Sequence, residues 1–221
     1  MLLAISDLVD SSSGYDSRSK IGGIVLGLVT KNDDSSGMKV KVKFPWFNQQ
    51  YESGWARVST FMSGGDRGAF FLPEVGDEVI IAFEHGDINH PYVIGSLWNG
   101  VDKAPEPNSN QKNNIRKIKS RSGHEIIFDD DKDGKNEKLE IKTNAGHTIL
   151  LDDSSGGEKI EIKDKSGNNS IVIDSTQNSV NISSQMKLSI KSKDVTIESD
   201  GMMTIKATGN LTIQGALVKI N

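Results

Sequence analysis

The sequence predicts an all-β fold in two parts, a small closed barrel followed by a long stacked β structure. In the first part, short strand-like runs are separated by turn-forming segments, and no stretch between them has helical periodicity. The second part repeats a pair of aliphatic residues at a short fixed interval, which is typical of stacked β structures and not of helices. An aromatic content of 6% and a hydrophobic content of 35% suit a β-rich protein with small sheets better than one with a single large core.

The barrel is predicted from six strand-like runs. The clearest is 38–44, in which Val40, Val42 and Phe44 alternate with lysines and should therefore point inward. The run 78–83 is more continuously apolar, as expected of a strand covered on both sides. The remaining runs are 21–29, 54–58, 69–72 and 92–98.

A two-strand repeat begins after the barrel. The segments SGHEIIFDD (122–130), AGHTILLDD (145–153) and SGNNSIVID (166–174) align with one another. Each is followed by a second strand-like run, at 138–142, 159–163 and 179–183 respectively. The predicted unit is therefore a pair of strands joined by an acidic turn, and these turns shorten along the chain.

From residue 180 the repeat becomes a plain octad of an apolar, a polar and an apolar residue followed by a polar spacer. Its second apolar members are separated by 8, 7, 8, 8 and 7 residues: Ile182, Ile190, Ile197, Ile205, Ile213 and Ile220. A lone chain would leave these side chains and its strand edges exposed. The pattern therefore predicts an intertwined homotrimer, a β-helix or β-prism; a single-chain β-solenoid with a binding or carbohydrate-active role is the alternative.

Composition and segment character give the predicted domain limits: an N-terminal linker at 1–20, the barrel at 21–98, a Pro/Asn-rich linker at 99–114 and the β-helical spike domain at 115–221. The net charge of −4 offers no general attraction for nucleic acid, and the absence of cysteine excludes disulfides. The first ten residues lack a basic leader, so no signal peptide is expected, and no run has the length of a membrane span.

Residues 54–100 carry a long motif, GWARVSTFMSGGDRGAFFLPEVGDEVIIAFEHGDINHPYVIGSLWNG. This segment resembles the OB-fold barrel of the VgrG and phage baseplate-assembly V family, and the later repeats resemble that family's β-helical needle. The resemblance implies a non-enzymatic, trimeric central spike at the tip of an injection tube, without a cofactor. It also implies hub, inner-tube and baseplate partners on the N-terminal side and a PAAR-repeat tip protein at the other end.

The same resemblance implies assembly in the cytoplasm into a phage-tail-like particle that acts outside the cell or at a target envelope, where the spike pierces the membrane transiently. Two departures from the family qualify it. Only about twenty residues precede the barrel, so the family's hub domain is expected on a separate chain or is missing from this sequence. The segment 99–114 is too short for the lysozyme domain that some phage spikes carry.

One acidic stretch has the spacing of a calcium loop, with Asp129, Asp131, Asp133, Gly134 and Glu140 matching D-x-D-x-D-G-x5-E. Its flanks are strand-like instead of helical, and the next repeat has lost the spacing. A solvated acidic hairpin is therefore the favoured interpretation, and a calcium site is the alternative.

His124 and His147 occupy equivalent places in successive repeats, so three copies of each could approach one another in a trimer. The interpretation we favour for both is a structural histidine, with a metal site as the alternative. Aromatic residues of the barrel, including Trp46 and Trp55, stand where OB folds stack single-stranded nucleic acid, but the acidic net charge argues against nucleic acid as a partner.

The sequence finishes with GALVKIN, which lacks a charged or glycine-rich cap. An end rung of this kind would expose apolar side chains, which usually mark a contact surface. We therefore expect the tip protein to dock on Leu217, Val218 and Ile220.

Overall fold

A computed structural model describes residues 20–220, apart from the side chains of residues 48 and 49. It divides into two compact units, the first ending at Ile118 and the second beginning at Lys119. The predicted N-terminal linker, except for Lys20, lies outside the described residues, as do the residues considered for a signal peptide. No helix among residues 20–220 combines the length and apolarity needed to cross a membrane.

Within residues 20–98, the first unit has eight strands and one 3-10 turn at Glu84–Gly86. The strands are β1 (Ile24–Lys31), β2 (Lys39–Phe44), β3 (Asn48–Glu52), β4 (Ala56–Val58), β5 (Ser63–Gly64), β6 (Arg67–Gly68), β7 (Glu78–Phe83) and β8 (Pro91–Leu97). Five of them close into a barrel in the order β1-β7-β8-β4-β2, with β2 pairing back onto β1. Among the strands that the structure describes, only β4 and β8 pair in parallel.

The barrel interior holds every fully buried apolar side chain among the described residues. The inward positions of β2 and β7 dominate it, because alternate residues of a strand share one face. The members are Val29, Val40, Val42, Phe44, Ala56, Val79, Ile81, Phe83 and Val93. The predicted inward direction of the β2 side chains is thus confirmed, and β7 alternates between buried and half-buried positions.

Three details of the barrel differ from the prediction. The strand β3 was not predicted because NQQYE has no apolar alternation; pairing with β2 and the buried Ser53, whose hydroxyl accepts the Val42 N–H at 3.0 Å, establish it. The segment 63–68, which lies between the predicted runs 54–58 and 69–72, forms the β5–β6 hairpin. The run 69–72 is not a strand, and its Phe70 and Phe71 are exposed.

The second sheet is a seven-stranded antiparallel meander, in which each strand pairs with its neighbours in sequence. Its strands are β9 (Ile115–Lys119), β10 (Glu125–Asp129), β11 (Lys138–Lys142), β12 (Thr148–Asp152), β13 (Lys159–Lys163), β14 (Ser170–Asp174) and β15 (Ser179–Ser183). The strands β10 to β15 fall where the two-strand repeat placed them, whereas β9 was not predicted. The sheet is open, with β9 and β15 at its edges, and so differs from a self-closing single-chain solenoid.

Residues 184–220, the octad segment, contain no strand within the chain, and every residue in it is exposed. The all-β fold class with an OB-like barrel is therefore confirmed. The intertwined β-helix stays a prediction, because residues 115–220 of one chain form an open meander followed by octads that are not paired within the chain.

Candidate assembly surface

The meander has one face made of apolar side chains in two straight columns. Antiparallel pairing places like residues opposite one another from β10 to β15. We call this the apolar face. One column is Ile126, Ile141, Ile149, Ile162, Ile171 and Ile182; the other is Phe128, Leu139, Leu151, Ile160, Ile173 and Val180. Ladders of this kind normally lie in a protein core.

The residues that the structure describes leave the apolar face uncovered. Ile149 and Leu151 each keep 40% of their surface exposed, and Val180 keeps 66%. Contiguous apolar surface on this scale is uncommon on monomeric proteins and marks an interaction site. The apolar face of the second unit is therefore a candidate contact surface for a partner.

On the opposite face of the meander, neighbouring side chains cover one another. Along its centre Ile127, Glu140, Leu150 and Glu161 lie opposite one another in successive strands. Glu161 is buried at 9% exposure, with Lys163 Nζ 2.8 Å from its Oε1 and Lys159 Nζ 3.9 Å from its Oε2. Lysine stems can lie over apolar neighbours while their charges reach carboxylate and water. This charged face is consequently the one suited to solvent.

The predicted tip residues lie in the octad segment and are accessible. Leu217 is 74% exposed and Ile220 is 89% exposed, while Val218 is 48% exposed. Their exposure leaves the surface available to a partner, and the docking itself stays a prediction.

The acidic stretch that matched a calcium loop forms the turn between β10 and β11. The Asp131 carboxylate accepts the Gly134 N–H at 3.2 Å and the Asn136 amide at 3.1 Å, while Asp129 accepts the Asp131 N–H. Glu140 lies within β11, opposite Ile127. Across residues 20–220, no three or more carboxylate or histidine groups are arranged to hold a metal ion. These contacts close the turn with its own hydrogen bonds, and the calcium site formed by Asp129, Asp131, Asp133 and Glu140 stays an untested alternative.

Asp129 has counterparts in the later repeats, and these aspartates do not have the spacing of a calcium loop. Asp152 accepts the Ser154 N–H and Asp174 accepts the Thr176 N–H, each two residues further along, as in an Asx turn. The Thr176 hydroxyl and the Gln177 backbone N–H hold the pKa of Asp174 below its usual value. The aspartate that ends β10, β12 and β14 is thus a recurring turn cap.

At the opposite ends of the strands from these aspartates, side chains connect successive turns. Nδ1 of His124 accepts the Asn144 N–H at 3.3 Å, and Nδ1 of His147 accepts the Lys165 N–H at 3.2 Å. In the third repeat Asn169 Oδ1 does the same for the Gln185 N–H at 3.1 Å. The two histidines are therefore hydrogen-bond acceptors for the next turn, a role that sequence spacing alone did not reveal.

Replacing His147 by alanine should lower the free energy of unfolding by about 1 kcal/mol, because the Lys165 N–H loses its acceptor. Asparagine is the matched control, since Asn169 already performs this role in the third repeat. Amide hydrogen exchange at Lys165 measures the effect directly. We expect faster exchange in His147→Ala and near-native exchange in His147→Asn; equal exchange in both variants would contradict the assignment.

Of the aromatic residues considered for nucleic-acid stacking, Phe44 belongs to the barrel core, whereas Trp46 and Trp55 keep 47% and 37% of their surface exposed. Phe44 is fully buried, and Trp46 Nε1 donates to the Leu26 carbonyl at 3.0 Å. Lys41 is paired with Glu52 at 3.3 Å and also lies over the Trp55 ring. These contacts support a structural role for the cluster.

Residues 25–98, the span of the barrel strands, match the family described as the type VI secretion system and phage-baseplate injector OB domain. The chain is 35% identical over 71 residues to the type VI secretion system spike protein VgrG3 of Vibrio cholerae and 32% identical over 71 residues to the spike protein VgrG2a of Pseudomonas aeruginosa. It is also 33% identical over 73 residues to a Vibrio cholerae protein named actin cross-linking toxin VgrG1.

Each of these three matches covers 30% of the chain and only 6–8% of the relative. The strand order and the family match agree over the same residues, because β1 to β8 lie at residues 24–97. On these grounds, residues 25–98 of the chain form a domain similar to the injector OB domain of type VI secretion systems and phage baseplates.

Proposed function

We propose that the chain is the central spike of a contractile injection machine and that three copies pack their second units around one axis. The observation that carries this is the uncovered apolar face, since every fully buried apolar side chain among residues 20–220 belongs to the barrel. Three copies can bury their apolar faces together while the charged faces stay in water. The likeness of the barrel to spike proteins supports the same role.

The octad segment supports assembly through its backbone. Residues 184–220 alternate apolar and polar side chains but form no strand within the chain. Extended backbone satisfies its N–H and C=O groups most readily by pairing with another strand. Three octad segments wound together would supply that pairing and cover the aliphatic side chains.

The mechanism of such a rod is mechanical, and no step of it uses a catalytic residue. Dense β pairing around an axis resists bending, so an axial force reaches the tip as local pressure. The barrel would form the collar that contacts hub, inner-tube and baseplate proteins. In this proposal the particle assembles in the cytoplasm and the spike crosses the target envelope when the machine contracts.

Light scattering of the purified full chain tests the assembly. We expect a particle of three times the 24.1 kDa chain mass. The expected particle should not dissociate on dilution to micromolar concentration, because obligate interfaces of this apolar kind are large. A well-folded species with the mass of one chain would overturn the proposal.

Light scattering also tests the proposed contact with a tip protein. We propose that a PAAR-repeat protein docks on Leu217, Val218 and Ile220, because all three side chains are accessible. Adding such a protein should increase the particle mass, and Ile220→Asp should prevent the increase. Thr212→Asp, an outward position of the same segment, is the control. Unchanged binding by Ile220→Asp would contradict the docking surface.

A further inference from the structure

The second unit contains two segments that must contact neighbouring copies in different ways. In the meander, backbone hydrogen bonds are formed within the chain from β9 to β15. The octad segment forms no strand within the chain. Copies can therefore meet at the meander through side chains alone, whereas at the octads they must also exchange backbone hydrogen bonds.

The two segments differ in the entropy lost on association. The meander strands are already fixed by pairing within the chain, so docking its apolar face orders few additional residues. Ordering the octad backbone costs conformational entropy at every residue before its contacts compensate. The octads therefore associate favourably only after something else has brought the chains together.

The two segments also differ in how well they define register. Successive octads are nearly equivalent, so sliding one chain by a whole octad preserves the apolar pattern. The meander is not periodic in this way, because the loops between its paired strands shorten from 130–137 to 153–158 and then to 175–178. The apolar face also contains a single aromatic side chain, Phe128, at one end of its column. A slipped arrangement would misplace these features.

We infer that the apolar face of the meander is the primary, register-setting contact between copies of this chain and that the octad segment pairs afterwards, from β15 toward Ile220. The inference rests on the proposed trimer and adds the surface that nucleates it. The meander is the part of the second unit that commits the chains to one alignment, and the octads extend that alignment into the rod.

Paired substitutions in the full chain test the inference. Ile162→Asp places a charge on the apolar face, and Ile205→Asp places one in the octad segment. Thr148→Asp and Thr204→Asp are controls, because the first lies on the charged face and the second on the outward side of its octad. Light scattering gives the mass, and amide hydrogen exchange gives the protection of residues 184–220.

We expect Ile205→Asp to remain a trimer and to lose protection only around and beyond residue 205. Ile162→Asp should become a monomer and lose protection throughout the octad segment, while both controls stay trimeric. A monomeric Ile205→Asp variant, or a trimeric Ile162→Asp variant with protected octads, would overturn the inference. A monomeric wild-type chain would instead overturn the proposed function.

A second measurement on the wild-type chain does not depend on how the variants fold. In pulse-labelled exchange during refolding, the amides of β10–β15 should gain protection before those of residues 184–220. Octad protection should also form more slowly when the chain is diluted. Octad protection that precedes meander protection would contradict the order of assembly.

Discussion

Replacing Phe44 by alanine is expected to lower the free energy of unfolding of the barrel by about 3–5 kcal/mol. The Phe44 side chain is fully buried, and its ring centroid lies 5.6 Å from that of Phe83 and 6.0 Å from that of Tyr51. Truncation removes these contacts and leaves a cavity that a closed five-stranded barrel cannot collapse. Most domains of this size are stable by only about 5–15 kcal/mol, so the loss would be severe.

Urea unfolding followed by tryptophan fluorescence measures this loss. The three tryptophans are Trp46, Trp55 and Trp98, so the signal reports the first unit and not the meander. Phe61→Ala is the matched control, because Phe61 is 86% exposed and its removal should change the free energy by less than about 0.5 kcal/mol. Equal losses in the two variants would show that Phe44 is not a core residue.

The strands with a clear side-chain pattern were predictable because burial imposes that pattern. Val40, Val42 and Phe44 alternate with lysines, and the structure buries all three. The strand β3 has no such pattern, since its existence depends on backbone pairing with β2. The run around Phe70 and Phe71 shows the converse, because apolar residues there do not enter a sheet.

Repetition was the more reliable guide in the second unit. One strand alone is ambiguous, but three aligned copies fixed the positions of β10 to β15. The same comparison also bears on the roles of the polar residues. Asp152 and Asp174 repeat the position of Asp129, which favours a turn cap over a cation ligand. Asn169 takes the place of His147, and the two share the ability to accept a hydrogen bond but not a common metal chemistry.

The association of chains could not be predicted in the same way, because it depends on contacts with atoms outside the chain. The octad spacing indicates what must be buried, and the structure of one chain indicates that it is not buried internally. Neither observation fixes the number of copies. Three copies are our proposal, on the argument that three apolar faces can enclose one axis, and the mass measurement tests it.

The β5–β6 hairpin should tolerate alanine at Gly65 and not at Gly68. A Cβ added to Gly68 would lie 2.5 Å from the Met62 carbonyl oxygen, and the Gly68 φ of 148° is rarely adopted by other residues. We expect Gly68→Ala to cost about 1–3 kcal/mol through backbone strain. The strain should weaken the hydrogen bond from the Ala69 N–H to the Met62 carbonyl, which is 3.0 Å long.

Gly65 supplies the control within the same hairpin, because a Cβ there would meet no heavy atom within 4 Å. Gly65→Ala should therefore leave the urea midpoint of the barrel nearly unchanged, since a mutation without steric conflict at a surface turn has a small effect. Amide exchange at Ala69 separates local from global effects: it should accelerate in Gly68→Ala and not in Gly65→Ala. If Ala69 exchanged equally slowly in both variants, the backbone would have relaxed around the added methyl group, and the close approach of Gly68 to Met62 would not be a requirement of the fold.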